Sequence, residues 1–144
     1  MYQIVYISRA RVVLSEPQVM ALATLAASRN EQAGVTGLLL YDGARFLQAL
    51  EGPEEAVTAT MDRIAGDDRH DMIRYFSRGP APERQFGDWS MAFKRAPDGC
   101  CSTEFLDRVK ADVTSVEDPH LRAAFIGFAA LGARRPEGYV CTGG

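Results

Sequence analysis

Residues Val35 to Pro53, VTGLLLYDGARFLQALEGP, read as two strands joined at Asp42-Gly43, a dipeptide that tolerates the positive φ angles of a tight hairpin turn. Alternate strand residues share a face, so Phe46, Gln48 and Leu50 point one way and Arg45, Leu47, Ala49 and Glu51 the other. Gln48 therefore sits between two large apolar neighbours on a face patterned for burial. Its amide carries donors and an acceptor, and leaving them unpaired there costs a few kcal/mol. The hairpin thus predicts a hydrogen-bonding partner for Gln48, whether protein or ligand.

Working outward, residues Tyr2 to Ser8 alternate as a strand with Tyr2, Ile4 and Tyr6 on one face. Ser15 and Gln18 then form an S-x-x-Q capping box, with Pro17 tolerated in the first turn of a helix. The apolar stripe of that helix, Val19, Leu22, Ala23 and Ala26, continues by one turn onto Asn30. After the hairpin, Gly52-Pro53-Glu54-Glu55 starts a second helix with a Val57, Met61 and Ile64 stripe, extended by Asp67 and ending in DDRH. A strand over Met72 to Phe76 follows, then a Pro-rich connector GPAPER, and Trp89, Met91 and Phe93 alternate as a fifth strand. The order is an α+β, ferredoxin-like βαββαββ plan with a five-stranded mixed sheet. Two helices cover one face only, so the unbroken Leu38-Leu39-Leu40 run requires cover behind. Two amphipathic segments after Pro97, bearing Phe105, Leu106 and Val109, then Leu121, Ala124, Phe125 and Phe128, are expected to supply it as a helical pair.

The bulk properties exclude several classes. A length of 144 residues predicts one domain, without room for a separate effector domain. A net charge of −3 provides no field for phosphate backbones, so direct nucleic-acid binding is not expected. No apolar run approaches the roughly 20 residues of a membrane span and no signal sequence precedes the first strand, so a cytoplasmic location without membrane contact is expected. Cys100, Cys101 and Cys141 lack metal-ligand spacing, and with His70 and His120 they make no zinc set, so free thiols and no metal are expected. Hydrolase motifs, phosphate-binding loops and dinucleotide fingerprints are missing.

Tyr6, Asn30 and Gln48 all point into the layer between the sheet and its first two helices. Singly, each has an ordinary explanation: a tyrosine at a rim, a capping asparagine, a glutamine bonded to backbone. Together they suit a polar-edged planar ligand, which the pattern does not name. Arg29, Arg69 and His70 lie near the helix ends, where they suit either a phosphate or the helix dipole. Trp89 and Met91 have the alternation of ordinary core residues, and Asp67 with Asp68 diverges too far around a helix to serve one acid-base site.

The linked motifs VYISRA, N-x-x-x-GVTGLLLYDG, FLQALEGP, DDRH and FGDWSMAF resemble the BLUF family of blue-light sensors that use FAD. The resemblance runs from Tyr2 to Phe93 and divides the chain into a flavin-binding core over 1–95 and a helical cap and tail over 96–144 of the same structural domain. It implies a flavin ring between the two helices, with FAD as cofactor and FMN or riboflavin as alternatives. Tyr6 and Gln48 correspond to the photochemical switch, with Gln48 between the tyrosine and the flavin edge, and Asn30 to a residue bonding that edge. Arg29, Asp67, Arg69 and His70 match positions lining the flavin or its ribityl and phosphate arm, and Trp89 and Met91 match a signal-relay strand. Illumination is then expected to draw an electron and a proton from Tyr6 and to leave Gln48 rotated or tautomerised, shifting absorption to longer wavelength. Output is expected through the fifth strand and C-terminal helices to an unidentified downstream protein or to self-association, with a homo-oligomer expected and no enzymatic activity. A rival from another class is a ferredoxin-like metabolite-binding or acylphosphatase-type enzyme domain, for which the Ser8 to Leu14 connector lacks a Gly-rich anion loop.

Overall fold

The computed structural model describes residues 1–11, 14–86, 92–95 and 103–133. Strands β1 (Tyr2–Ala10), β2 (Thr36–Tyr41), β3 (Arg45–Gly52), β4 (His70–Pro80) and β5 (Ala92–Arg95) form one sheet in the order β4-β1-β3-β2-β5. The first four are antiparallel neighbours and β5 runs parallel to β2, which is the expected mixed five-stranded plan. Helices α1 (Glu16–Ala33) and α2 (Glu54–Ala65) cover one face, and α3 (Thr103–Asp112) and α4 (Pro119–Ala133) cover the other.

Local chemistry explains the boundaries. Ser15 and Gln18 form the reciprocal capping box at the start of α1, and Gly34 closes it with φ of 73°. In the hairpin, Asp42 N–H donates to the Arg45 carbonyl at 3.2 Å, so the two turn residues are Gly43 and Ala44, one step later than the sequence predicts. Only Gly43 has positive φ, 93°, and Asp42 instead accepts the Ala44 and Arg45 amides on Oδ1 at 2.9 and 2.7 Å. The DDRH segment is also not helical. Helix α2 ends at Ala65, Asp67 folds the chain back by accepting Arg69 N–H at 3.0 Å, and His70 already opens β4. That strand runs through Gly79-Pro80, residues expected in the connector, because an edge strand tolerates proline.

The two faces build two cores. One packs Ile4, Tyr6, Leu39, Phe46 and Leu50 of the sheet against Val19 of α1 and Val57 and Met61 of α2. The other packs Val5, Leu38, Leu40, Leu47 and Ala49 against Val109, Leu121, Phe125, Phe128 and Ala129 of the C-terminal helices. Trp89, Met91, Cys100, Cys101 and Cys141 lie outside the described residues, as do the side chains of Phe93 and Phe105. Among the described residues, no helix is long and apolar enough to cross a membrane.

Candidate functional site

Antiparallel pairing places Gln48 directly beside Tyr6 of β1 on one side and Leu39 of β2 on the other. Gln48 and Tyr6 are each 3% exposed, and the Tyr6 hydroxyl donates to Gln48 Oε1. Asn30, 2% exposed, reaches the same layer from α1, as its helical spacing from Val19 requires. Its backbone carbonyl accepts Val35 N–H at 2.8 Å, which locks the end of α1 to the start of β2.

Between α1 and α2 these groups border two adjoining clefts. The first encloses about 470 Å³, part of it open to solvent, and has walls of Leu22, Ala26, Leu39, Phe46 and Ile64 with Tyr6, Gln48, Asp67, Arg69 and His70 around them. The second continues past Gln48 to Asn30, Arg29, Thr60 and Arg63. All seven residues expected to bind a cofactor, Tyr6, Asn30, Gln48, Arg29, Asp67, Arg69 and His70, therefore line these two adjoining clefts, with Gln48, Asp67 and Arg69 shared by both. Arg63 and Thr60 were not singled out from the sequence, although a cation in the last turn of α2 is the signal that would have found Arg63.

His70 sits differently from a ligand-binding base. Nε2 lies 2.7 Å from the Ile64 carbonyl and Nδ1 2.7 Å from Ser8 Oγ. A carbonyl only accepts, so Nε2 carries the proton and, in the neutral ring, Nδ1 accepts the serine hydroxyl. Both nitrogens are thus engaged by protein, and the ring lines the cleft as a wall, edge-on to Phe46 at 6.2 Å. Arg69 holds Asp67 through Nε at 2.9 Å and through Nη2, and this hydrogen-bonded pair keeps the Asp67 carboxyl below its ordinary range against the opposing effect of burial. Burial pushes the Tyr6 phenol far above its ordinary range, with the Asp67 charge adding to the effect. Tyr6 is therefore held neutral, a donor to Gln48 throughout the ordinary pH range.

An apolar slot with amides and a phenol along one edge and guanidinium groups at its mouth fits a flat heterocycle carrying a polar, phosphorylated arm. The family described as "BLUF: Sensors of blue-light using FAD" matches residues 1–92. The chain belongs to the BLUF family. A photoactivated adenylate cyclase subunit beta of Euglena gracilis is 37% identical over 76 residues, covering 52% of this chain and 9% of that protein. The blue light- and temperature-regulated antirepressor BluF of Escherichia coli is 39% identical over 87 residues, covering 59% of this chain and 22% of that one. A solved structure described as BlrP1 BLUF superposes with a TM-score of 0.74 at 27% identity, over 98% of this chain and 95% of its own. The chain thus spans a small part of these curated relatives and nearly all of an isolated BLUF domain. FAD is the cofactor of the family, and the domain is a blue-light sensor module. The acylphosphatase-type alternative gives way to this match.

Proposed function

We propose that Tyr6 and Gln48 form the light-driven hydrogen-bond switch of this BLUF domain, with Asn30 holding the polar edge of the FAD ring. The observation that carries the reading is the buried donation from the Tyr6 hydroxyl to Gln48 Oε1 at the cleft. When bound, FAD supplies the blue-light chromophore and the redox partner for the phenol. The chain's residues supply the rest. Leu22, Ala26, Leu39 and Ile64 exclude water from the slot, and Arg29, Arg63 and Arg69 at the mouth suit the phosphate-bearing arm.

The Tyr6 bond assigns Oε1 of Gln48 to the phenol, which leaves the donor Nε2 as the end turned away from it. A half-turn of the amide, or its tautomer, exchanges donor and acceptor at nearly unchanged shape, and the phenol then accepts where it donated. One such rewiring is worth only about 0.5–1.5 kcal/mol. Output therefore needs an element already near balance, and the segment from Trp89 through β5 is the proposed relay. A downstream protein or a second copy of the chain receives the signal. The Euglena and E. coli relatives, a cyclase and an antirepressor, couple the same kind of module to unlike outputs.

One absorption spectrum before and after blue illumination tests the reading. Wild-type protein should be yellow, shift to longer wavelength in light and recover in the dark. Tyr6→Phe and Gln48→Leu should each retain flavin and lose the shift completely. A normal photocycle in either variant is incompatible with this switch.

A further inference from the structure

On the back of β3, three residues beyond Gln48, Glu51 is wholly buried and ends in a carboxylate. Among the described residues, no cation pairs with it directly. Oε1 accepts the Thr36 hydroxyl at 3.0 Å and Phe86 N–H at 2.7 Å, and Oε2 accepts Gln85 N–H at 2.8 Å. Thr36 Oγ1 in turn accepts Arg84 Nη1 at 2.7 Å, while Arg84 Nη2 donates to the Gly34 carbonyl at 3.3 Å, at the cap of α1. Gln85 carries the connection onward. Its Oε1 accepts the N–H groups of Glu117 and Asp118 at 2.8 and 3.1 Å, immediately before α4, and the Phe86 ring meets Phe125 of α4 at 5.9 Å.

We propose that Glu51 and Gln85 form a signalling joint that transmits a change at the Gln48 switch from β3 to the start of α4. The inference rests on the photochemical reading above and goes beyond it by naming a route separate from the Trp89 and Met91 relay. Three features favour a joint over simple packing. Burying a carboxylate among neutral donors is costly when an apolar side chain would fill the same space. Its two oxygens satisfy three donors drawn from β2 and from successive residues of the β4–β5 segment, which an amide cannot do because one end would face N–H with N–H. The chain from Gln48 to Glu51 is about 10 Å of extended strand, too short and too well paired to absorb a shift at one end. Glu51 and Gln85 are positioning residues, outside the cleft.

Hydrogen exchange of the flavin-loaded full chain, in the dark and under continuous blue light, tests the joint at peptides covering the first two turns of α4. Wild type should show a light-to-dark exchange ratio of roughly twofold to tenfold there, the population change that one net hydrogen bond can drive. Glu51→Gln and Gln85→Ala should each bring that ratio to about one while the absorption shift persists. A merely structural role would raise exchange equally in dark and light and leave the ratio as in wild type. Should Glu51→Gln not fold, Gln85→Ala carries the same comparison, since it removes only the acceptor for the Glu117 and Asp118 amides that precede α4. A wild-type ratio in the variants, or a wild-type shift with no change at α4, overturns the joint. Wild-type protein with no absorption shift overturns the photochemistry, and the joint with it.

Discussion

At Tyr6 the decisive property is a phenol whose pKa the fold holds well above the ordinary range. Burial raises its pKa, first through lost solvation and then through the Asp67 charge. The sign follows from proton counting. Above about pH 10 the unfolded chain releases a proton that the folded chain keeps, so stability is full below that point and falls as pH rises, by about 1.4 kcal/mol per unit. Urea unfolding between about pH 10 and 11.5 should show this slope in wild type and a slope shallower by one proton in Tyr6→Phe. Equal slopes would mean that Tyr6 ionises in the fold. The residues of the proposed switch were legible because each obeys a short period: Gln48 and Tyr6 alternate on strands, and Asn30 lies three helical turns from Val19. The task of Glu51 was not legible. Strand parity put it on the correct face, but its partners Gln85 and Phe86 lie 34 and 35 residues away in a connector without periodicity. His70 was placed at the cleft, yet nothing in the sequence showed that Ser8 and Ile64 would engage both of its nitrogens.

Among the elements, the β2–β3 hairpin tolerates least. A Cβ on Gly37 would stand 1.9 Å from the Ala49 carbonyl oxygen, so any side chain forces the two strands apart. Gly37→Ala should lower stability by about 3 kcal/mol, at the upper end of overpacking costs, read as a fall in the urea midpoint. The same substitution in α4 should act in the opposite direction. A Cβ on Gly127 meets nothing within 4 Å, and alanine there should stabilise the helix by up to about 1 kcal/mol. If both variants moved the midpoint alike, close strand approach would not explain Gly37. The elements themselves were readable from capping, periodicity and turn residues. Their edges were less so, because Asp42 serves as a side-chain cap beside the turn rather than within it, and Asp67 turns the chain just after α2 by a local hydrogen bond that periodicity cannot register.

For the whole molecule, the sheet separates two cores with different duties. Phe125 is fully buried on the face away from the cleft, against Phe86 and the leucines of β2 and β3. The sequence foretold this cover from a hydrophobic sheet face that two helices could not reach, an argument from area that needs no knowledge of contacts. Phe125→Ala should remove about 3–5 kcal/mol of stability through lost burial and the cavity left behind. Flavin binding should survive wherever the protein remains folded, since no atom of Phe125 borders the cleft. The two readouts separate the cores: chemical denaturation reports the loss, and flavin titration at low denaturant reports the unchanged site. A proportionate loss of flavin affinity in the folded variant would show that the C-terminal helices shape the cleft through the sheet. The division of labour between the faces would then have to be replaced by a single coupled core, with the Glu51 joint as its nearest physical link.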